Sequence, residues 1–125
     1  MHRSRLCAFV IDCKTEDIDA ATAFWSQALG RDIKPPDPQS GTYRELSAEA
    51  QEPMLLIQKV DHPGRVHLDI ETDDLDAEVL RLEALGAKRV AFVKRWWVME
   101  APTGQRFCVV NPQRGPLDSS ANEWR

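Results

Sequence analysis

RVHLDIETDDLDAEVLRLEALG, residues 65–86, changes its hydrophobic period halfway along. Val66, Leu68 and Ile70 alternate with His67, Asp69 and Glu71, the period-two pattern of a half-buried strand. Asp73 and Asp74 then offer a helix cap, and Leu75, Val79, Leu82 and Leu85 recur at helical spacing up to Gly86, a left-handed stop. The stretch therefore predicts a strand feeding a helix. A helix packed on the aliphatic face of that strand leaves one imidazole and two carboxylates facing the other way. Chemistry is expected on that polar face.

Working outward, the same unit occurs earlier. Residues 6–13, LCAFVIDC, are apolar enough for a buried strand, and residues 17–30, DIDAATAFWSQALG, read as an amphipathic helix with Ile18, Ala21, Phe24, Trp25, Ala28 and Leu29 inward. Asp17-Ile18-Asp19-Ala20 matches Asp74-Leu75-Asp76-Ala77 at an offset of 57, and Ala28-Leu29-Gly30 matches Ala84-Leu85-Gly86 at 56. A drift of one residue over a helix is what a duplicated supersecondary unit with a single length change shows. Residues 34–41, with three prolines, are a loop, and 42–48 and 53–60 read as strands. Residues 61–64, DHPG, form a turn between the halves; strands are expected at 88–93, 96–100 and 105–110, with a proline–glycine turn at 101–104. Each half is strand, helix, then two or three strands. The expected organisation is one α+β domain over residues 1–112, with modules at about 6–60 and 65–111, followed by a loose tail at 113–125 that Trp124 could pin to a surface.

Composition bounds the partners. The 125 residues are 42% hydrophobic and 29% charged, as in ordinary globular chains, and carry a net charge of −4. That balance speaks against nucleic acid or an anionic membrane surface, both of which select for basic residues. No apolar run approaches the roughly 20 residues that span a bilayer. The leading residues MHRSRLCAFVIDCK lack a long apolar region with a small-residue cleavage site, so the expected location is the cytoplasm. Cys7, Cys13 and Cys108 lack C-x-x-C spacing and suggest reduced thiols rather than a disulfide framework or zinc knuckle.

AFWSQALG in the first half, VHLDIETDDLDAEVLRLEALGA in the second and WVMEAPTGQRFCVV near the end, together with the duplication, resemble the glyoxalase, bleomycin-resistance and extradiol-dioxygenase superfamily, also called vicinal oxygen chelate, over about residues 6–111. The resemblance implies two βαβββ modules whose curved sheets enclose a cleft, with helices outside, and commonly a homodimer. In metal-dependent members the cleft holds a divalent ion bound from the first and last strands of the modules. Carried across, those positions fall on His67, on about Ala8, on Gln58 and on Cys108, where a glutamate is typical. One histidine, one amide and one thiol are a poor set for such an ion, so no metal ligand is assigned and the cofactor is left open.

His67 is the catalytic candidate: as a general base, a hydrogen-bond donor to a carbonyl or a residual ligand. The alternative is a histidine tied to Asp69 or a neighbouring strand with no chemical role. Asp69 makes an H-x-D pair with it, but a two-histidine, one-carboxylate iron site needs a distal histidine, and only His2 and His62 remain. Cys108 could be a nucleophile if His67 activated it, or a small core filler. Gln58 could orient a ligand or satisfy a backbone group; Glu71 extends the polar cluster. Trp96 and Trp97 point opposite ways, and Trp97 is taken as the stacking wall of a binding site. Lys94-Arg95-Trp96-Trp97 has the mix of a single-strand nucleic-acid platform but stands alone in an acidic chain. These features lead to a protein binding a small polar or aromatic molecule, as a lyase or isomerase, with a sequestering protein of the bleomycin-resistance kind and a metal-dependent dioxygenase-like enzyme as alternatives.

Overall fold

Local caps set the two helices where the spacing places them. In the computed structural model, which describes residues 1–125, α1 (Ile18–Leu29) begins at Asp17, whose carboxylate accepts the backbone N–H groups of Asp19 and Ala20, and ends at Gly30. The helix α2 (Leu75–Ala84) begins at Asp74, which accepts the N–H of Ala77. Each cap answers amide donors that have no partner inside the first helical turn. Gly86 follows α2 at φ 108°, a conformation that L side chains rarely adopt, and a Cβ there would sit 3.1 Å from Pro102 Cγ.

Eight strands complete the chain: β1 (His2–Lys14), β2 (Tyr43–Leu46), β3 (Met54–Val60), β4 (Arg65–Thr72), β5 (Lys88–Val93), β6 (Trp96–Glu100), β7 (Arg106–Val110) and β8 (Asn122–Trp124). They form one open mixed sheet in the order β2-β3-β1-β4-β7-β6-β5, with β8 on β1, so the class is α+β as expected. The duplication is visible in the pairing. β1 runs parallel to β3 and β4 runs parallel to β7, while β2–β3 and β6–β7 are antiparallel. Where the second repeat has β5 beside β6, the first has only the bridge Ile33↔Leu46 beside β2. The proline-rich segment 34–41 follows that bridge and cannot supply a full ladder of amide donors.

The chain packs as two compact units, residues 8–67 and residues 1–7 with 68–125. In the first, Ile18, Leu46 and Ile57 form the core, with Ile11, Cys13, Ala21, Trp25 and Leu55 against them. In the second, Val79, Leu82, Met99 and Val109 do so, with Ile70, Leu75, Trp97 and Phe107 around them. Both cores join the apolar stripe of a helix to one face of its own strands.

Two expectations change here. The alternation along β4 is present, but the burial is inverted at its start: Val66 and Leu68 are 60% and 42% exposed, whereas His67 and Glu71 are buried and only Ile70 reaches the α2 core. Paired polar groups can be buried at small cost, and these two are paired. The segment expected as a loose tail is also tied down. β8 pairs with β1, setting His2 opposite Trp124, and the Trp124 indole N–H donates to Ser4 Oγ at 2.8 Å. The Arg81 guanidinium lies 3.9 Å from the Trp124 ring centroid while donating to the fully buried Glu78, which also bonds His2 Nε2 at 2.7 Å. No helix is long and apolar enough to cross a membrane.

Candidate functional site

In the unit of residues 8–67 the polar groups gather on the sheet face opposite α1. Register places Asp12 beside Gln58, and Gln58 beside Tyr43, so the three share that face. Arg65 and His67 leave β4 toward Asp12. The Asp12 carboxylate is nearly inaccessible; its Oδ2 accepts from His67 Nδ1 at 2.9 Å and from Arg65 Nε at 3.2 Å, and its Oδ1 has no hydrogen bond. Gly64 makes this approach feasible, because a Cβ there would meet the Asp12 carbonyl oxygen at 3.1 Å. Val10 and Leu56 lie on the same face as Asp12 and Gln58 by strand alternation, giving it an apolar end next to the polar one.

The hydrogen bond to Asp12 assigns the histidine proton. A lone pair on Nδ1 facing a buried carboxylate would be repulsive, so Nδ1 carries hydrogen and, in the neutral ring, Nε2 is the acceptor nitrogen. An imidazole oriented by a carboxylate in this way is the base–orienter arrangement of acid–base sites. Asp12 was not singled out from sequence. It sits in the apolar run LCAFVIDC, and its partner is 55 residues away; the one signal was a lone acid on the same strand parity as Val10.

In the other unit, Asp69 and Cys108 are register partners across β4 and β7. One imidazole, one carboxylate and one thiol do not make the oxygen-rich shell that magnesium or manganese requires, and Ala8, fully buried, contributes no donor. The residues thus do not fit the hard divalent ion that the superfamily implies, and no chemical step is routed through one.

Glu71 and Trp97 occupy other surroundings. Glu71, fully buried, accepts from Arg5 Nε at 2.7 Å, Arg114 Nε at 3.1 Å and the Gln113 backbone N–H at 2.8 Å. Burial alone would raise its carboxyl, but these donors outweigh burial and hold it below the ordinary value. Glu71 thereby fastens residues 113–114 to β4. Trp97 is opposite Val109 and packs in the α2 core, edge-on to Phe92 at 5.1 Å, with Arg89 5.0 Å from its ring centroid. The residue opposite Cys108 is Val98, so Trp97 lies on the reverse face from Cys108. Cys7 is no nucleophile: burial first, then Glu71 and Asp69, push its thiol up to about 12.

Comparisons agree with this architecture. Solved structures with a similar fold include the Mn(II)-bound glyoxalase from Novosphingobium aromaticivorans, 17% identical with a TM-score of 0.59, covering 95% of this chain and 44% of that one. Methylmalonyl-CoA epimerase from Mycobacterium tuberculosis is 17% identical with a TM-score of 0.60, covering 86% of this chain and 87% of that one. A glyoxalase/bleomycin resistance protein/dioxygenase superfamily member from Vibrio splendidus 12B01 is 16% identical with a TM-score of 0.53, covering 85% and 98%. At these identities the likeness is one of fold, and this chain spans under half the length of the Novosphingobium protein. A comparison with curated protein sequences gives no match. The sequence model of the glyoxalase-like domain, however, matches residues 8–110, which span both repeats and every candidate site residue, and the chain belongs to that family.

Proposed function

We propose that the chain is a small-molecule-binding, glyoxalase-like enzyme of lyase or isomerase type, in which His67 moves a proton on the bound compound. The observation that carries this reading is the 2.9 Å bond between His67 Nδ1 and the buried Asp12 Oδ2, which orients the ring and leaves Nε2 as its basic nitrogen when neutral. Gln58 supplies an amide on the Asp12 face; Asp69 and Cys108, register partners across β4 and β7 in the other unit, are the remaining ligand-binding candidates. Glu71 is left out because its oxygens are committed to Arg5, Arg114 and the backbone, and Trp97 because it belongs to the α2 core. The protein acts in the cytoplasm as a homodimer in this reading.

Sequestration without turnover is the second reading, favoured by the missing ligand at Ala8 and the thiol at Cys108. One experiment separates them. Compounds that raise the melting temperature of the purified protein are incubated with wild type and with His67→Gln, and the mixtures are analysed by mass spectrometry and chiral chromatography. Conversion by wild type that is lost in His67→Gln, with binding retained, supports the enzyme. Quantitative recovery of every bound compound unchanged supports sequestration and ends the catalytic reading.

A further inference from the structure

Arg65 is the group on the Asp12 face that neither the proton-transfer reading nor the family comparison uses. Its Nε is pinned to Asp12 Oδ2 at 3.2 Å, while the side chain remains 44% exposed. A guanidinium held through Nε has one edge fixed by the protein. Its two terminal nitrogens then form a donor pair directed away from that carboxylate, in the planar geometry that matches another carboxylate bidentately. The fixing is itself useful, because an arginine already held in one rotamer loses less freedom when a ligand binds.

The surroundings select the sign of the ligand. Asp12 is nearly inaccessible, with its charge answered by Arg65 and by the buried His67 ring; the exposed charged group beside it is the Arg65 guanidinium, and register sets Gln58 and Tyr43 on the same face. Glu45, farther along β2 on the same face, is paired with Lys34 at 3.0 Å. This face is rich in donors although the chain as a whole carries a net charge of −4. Leu56, partly exposed on that face, gives the adjoining surface an apolar character.

We propose that Arg65 is the carboxylate anchor of the site, that Asp12 is its positioning residue, and that the ligand is a small carboxylate with an apolar or aromatic body. This deepens the proposed function and rests on it for the claim that the anchored compound is also the one His67 acts on. The anchor places the ligand's carboxylate against Arg65, with its apolar part toward Leu56. Gly64 belongs to the device, because it lets the chain entering β4 lie against the Asp12 carbonyl and so brings the arginine within reach of its carboxylate.

The test follows the Arg65 side-chain Nε–H signal by two-dimensional nitrogen–proton NMR during titration with acetate, lactate and benzoate, with benzamide as the uncharged control and inorganic phosphate as the other anion. Saturable shifts of Arg65 with benzoate that benzamide does not reproduce, a tenfold or greater weakening in Arg65→Gln, and partial retention in Arg65→Lys are expected. Equal shifts with benzoate and benzamide, no saturable response to any carboxylate, or a response to phosphate alone each overturn the proposal. Wild-type protein distinguishes the two readings: saturable benzoate binding that is weakened in Arg65→Gln, with every bound carboxylate recovered unchanged, would defeat the catalytic reading alone. Arg65 is half-exposed, and circular dichroism of Arg65→Gln checks that the fold is intact.

Discussion

His67 Nδ1 and Asp12 Oδ2 lie 2.9 Å apart although the residues are 55 positions apart in the chain, and both side chains are buried. A contact of this kind fixes the position of the hydrogen on the ring. Nitrogen chemical shifts of the neutral His67 ring should show the Nδ1–H form. His62, half-buried in the 61–64 turn and bonded to the neighbouring Pro63 carbonyl, is the control. In Asp12→Ala the His67 preference should relax toward the Nε2–H form that free imidazoles favour. An unchanged His67 pattern in that variant would mean that Asp12 does not orient the ring.

Acid should weaken the fold through two buried carboxyls. Burial by itself raises Glu71 and Glu78, but donors from Gln113, Arg5 and Arg114 in the first case, and from Arg81, His2 and Ser4 in the second, bring both below the ordinary 4.5. Carboxyls lowered on folding stabilise the native state fully above their unfolded value, and that contribution drains away as pH drops through the folded values. Urea midpoints should therefore be flat from pH 7 to about 5 and fall below 4.5. In Glu71→Gln the acid-dependent part should shrink, while stability at pH 7 falls by about 3 kcal/mol because two arginines lose their partner.

Removing the indole at position 124 should release β8. Trp124→Ala deletes the bond to Ser4 and the contact under Arg81 and should cost about 2 kcal/mol by denaturant titration. Hydrogen exchange should then accelerate at residues 2–4, which pair with β8, and remain slow in β3. A variant as stable as wild type would show the terminal strand to be dispensable.

Calorimetric titration with magnesium, manganese, nickel and zinc tests whether His67, or Asp69 with Cys108, holds an ion. Magnesium and manganese should give no stoichiometric heat, since an imidazole, or a carboxylate with a thiol, lacks the oxygen donors they need. Stoichiometric manganese binding abolished by His67→Ala would reverse that conclusion.

The three thiols should differ in reactivity. Cys7 is buried and pushed up to about 12, so at pH 8 it should resist an aromatic disulfide reagent in the native state and react only after unfolding. Cys108, partly exposed on the face opposite the α2 core, should react faster. Mass mapping of the labelled peptides reads this directly.

What could be read from sequence was what is decided locally. Both helices, their aspartate caps, the glycine stops and the strands at 54–60, 88–93, 96–100 and 106–110 follow from periodicity and turn chemistry within a dozen residues. The strand at 122–124 could not be read that way. Asn-Glu-Trp has no strand pattern and becomes one only because β1 offers it a ladder and Ser4 and Arg81 hold the indole. The site divides similarly. His67 declared itself by strand parity and Gln58 through the family resemblance, whereas Asp12 and Arg65 acquire meaning only when chain segments more than fifty residues apart meet. Trp97 shows the limit of parity: alternation says that neighbouring indoles point opposite ways, and only the register with Val109 says which way each points.

The connection at residues 61–64 has a bearing on engineering. Because strand side chains alternate with a period of two, lengthening it by one residue and shifting β4 by one step would present Val66 and Leu68 to Asp12 in place of Arg65 and His67. The length of this link is thus as much a determinant of what faces Asp12 as any side chain it carries. Loop grafting at this point should conserve residue count first and composition second, and two-residue insertions should be tolerated better than one.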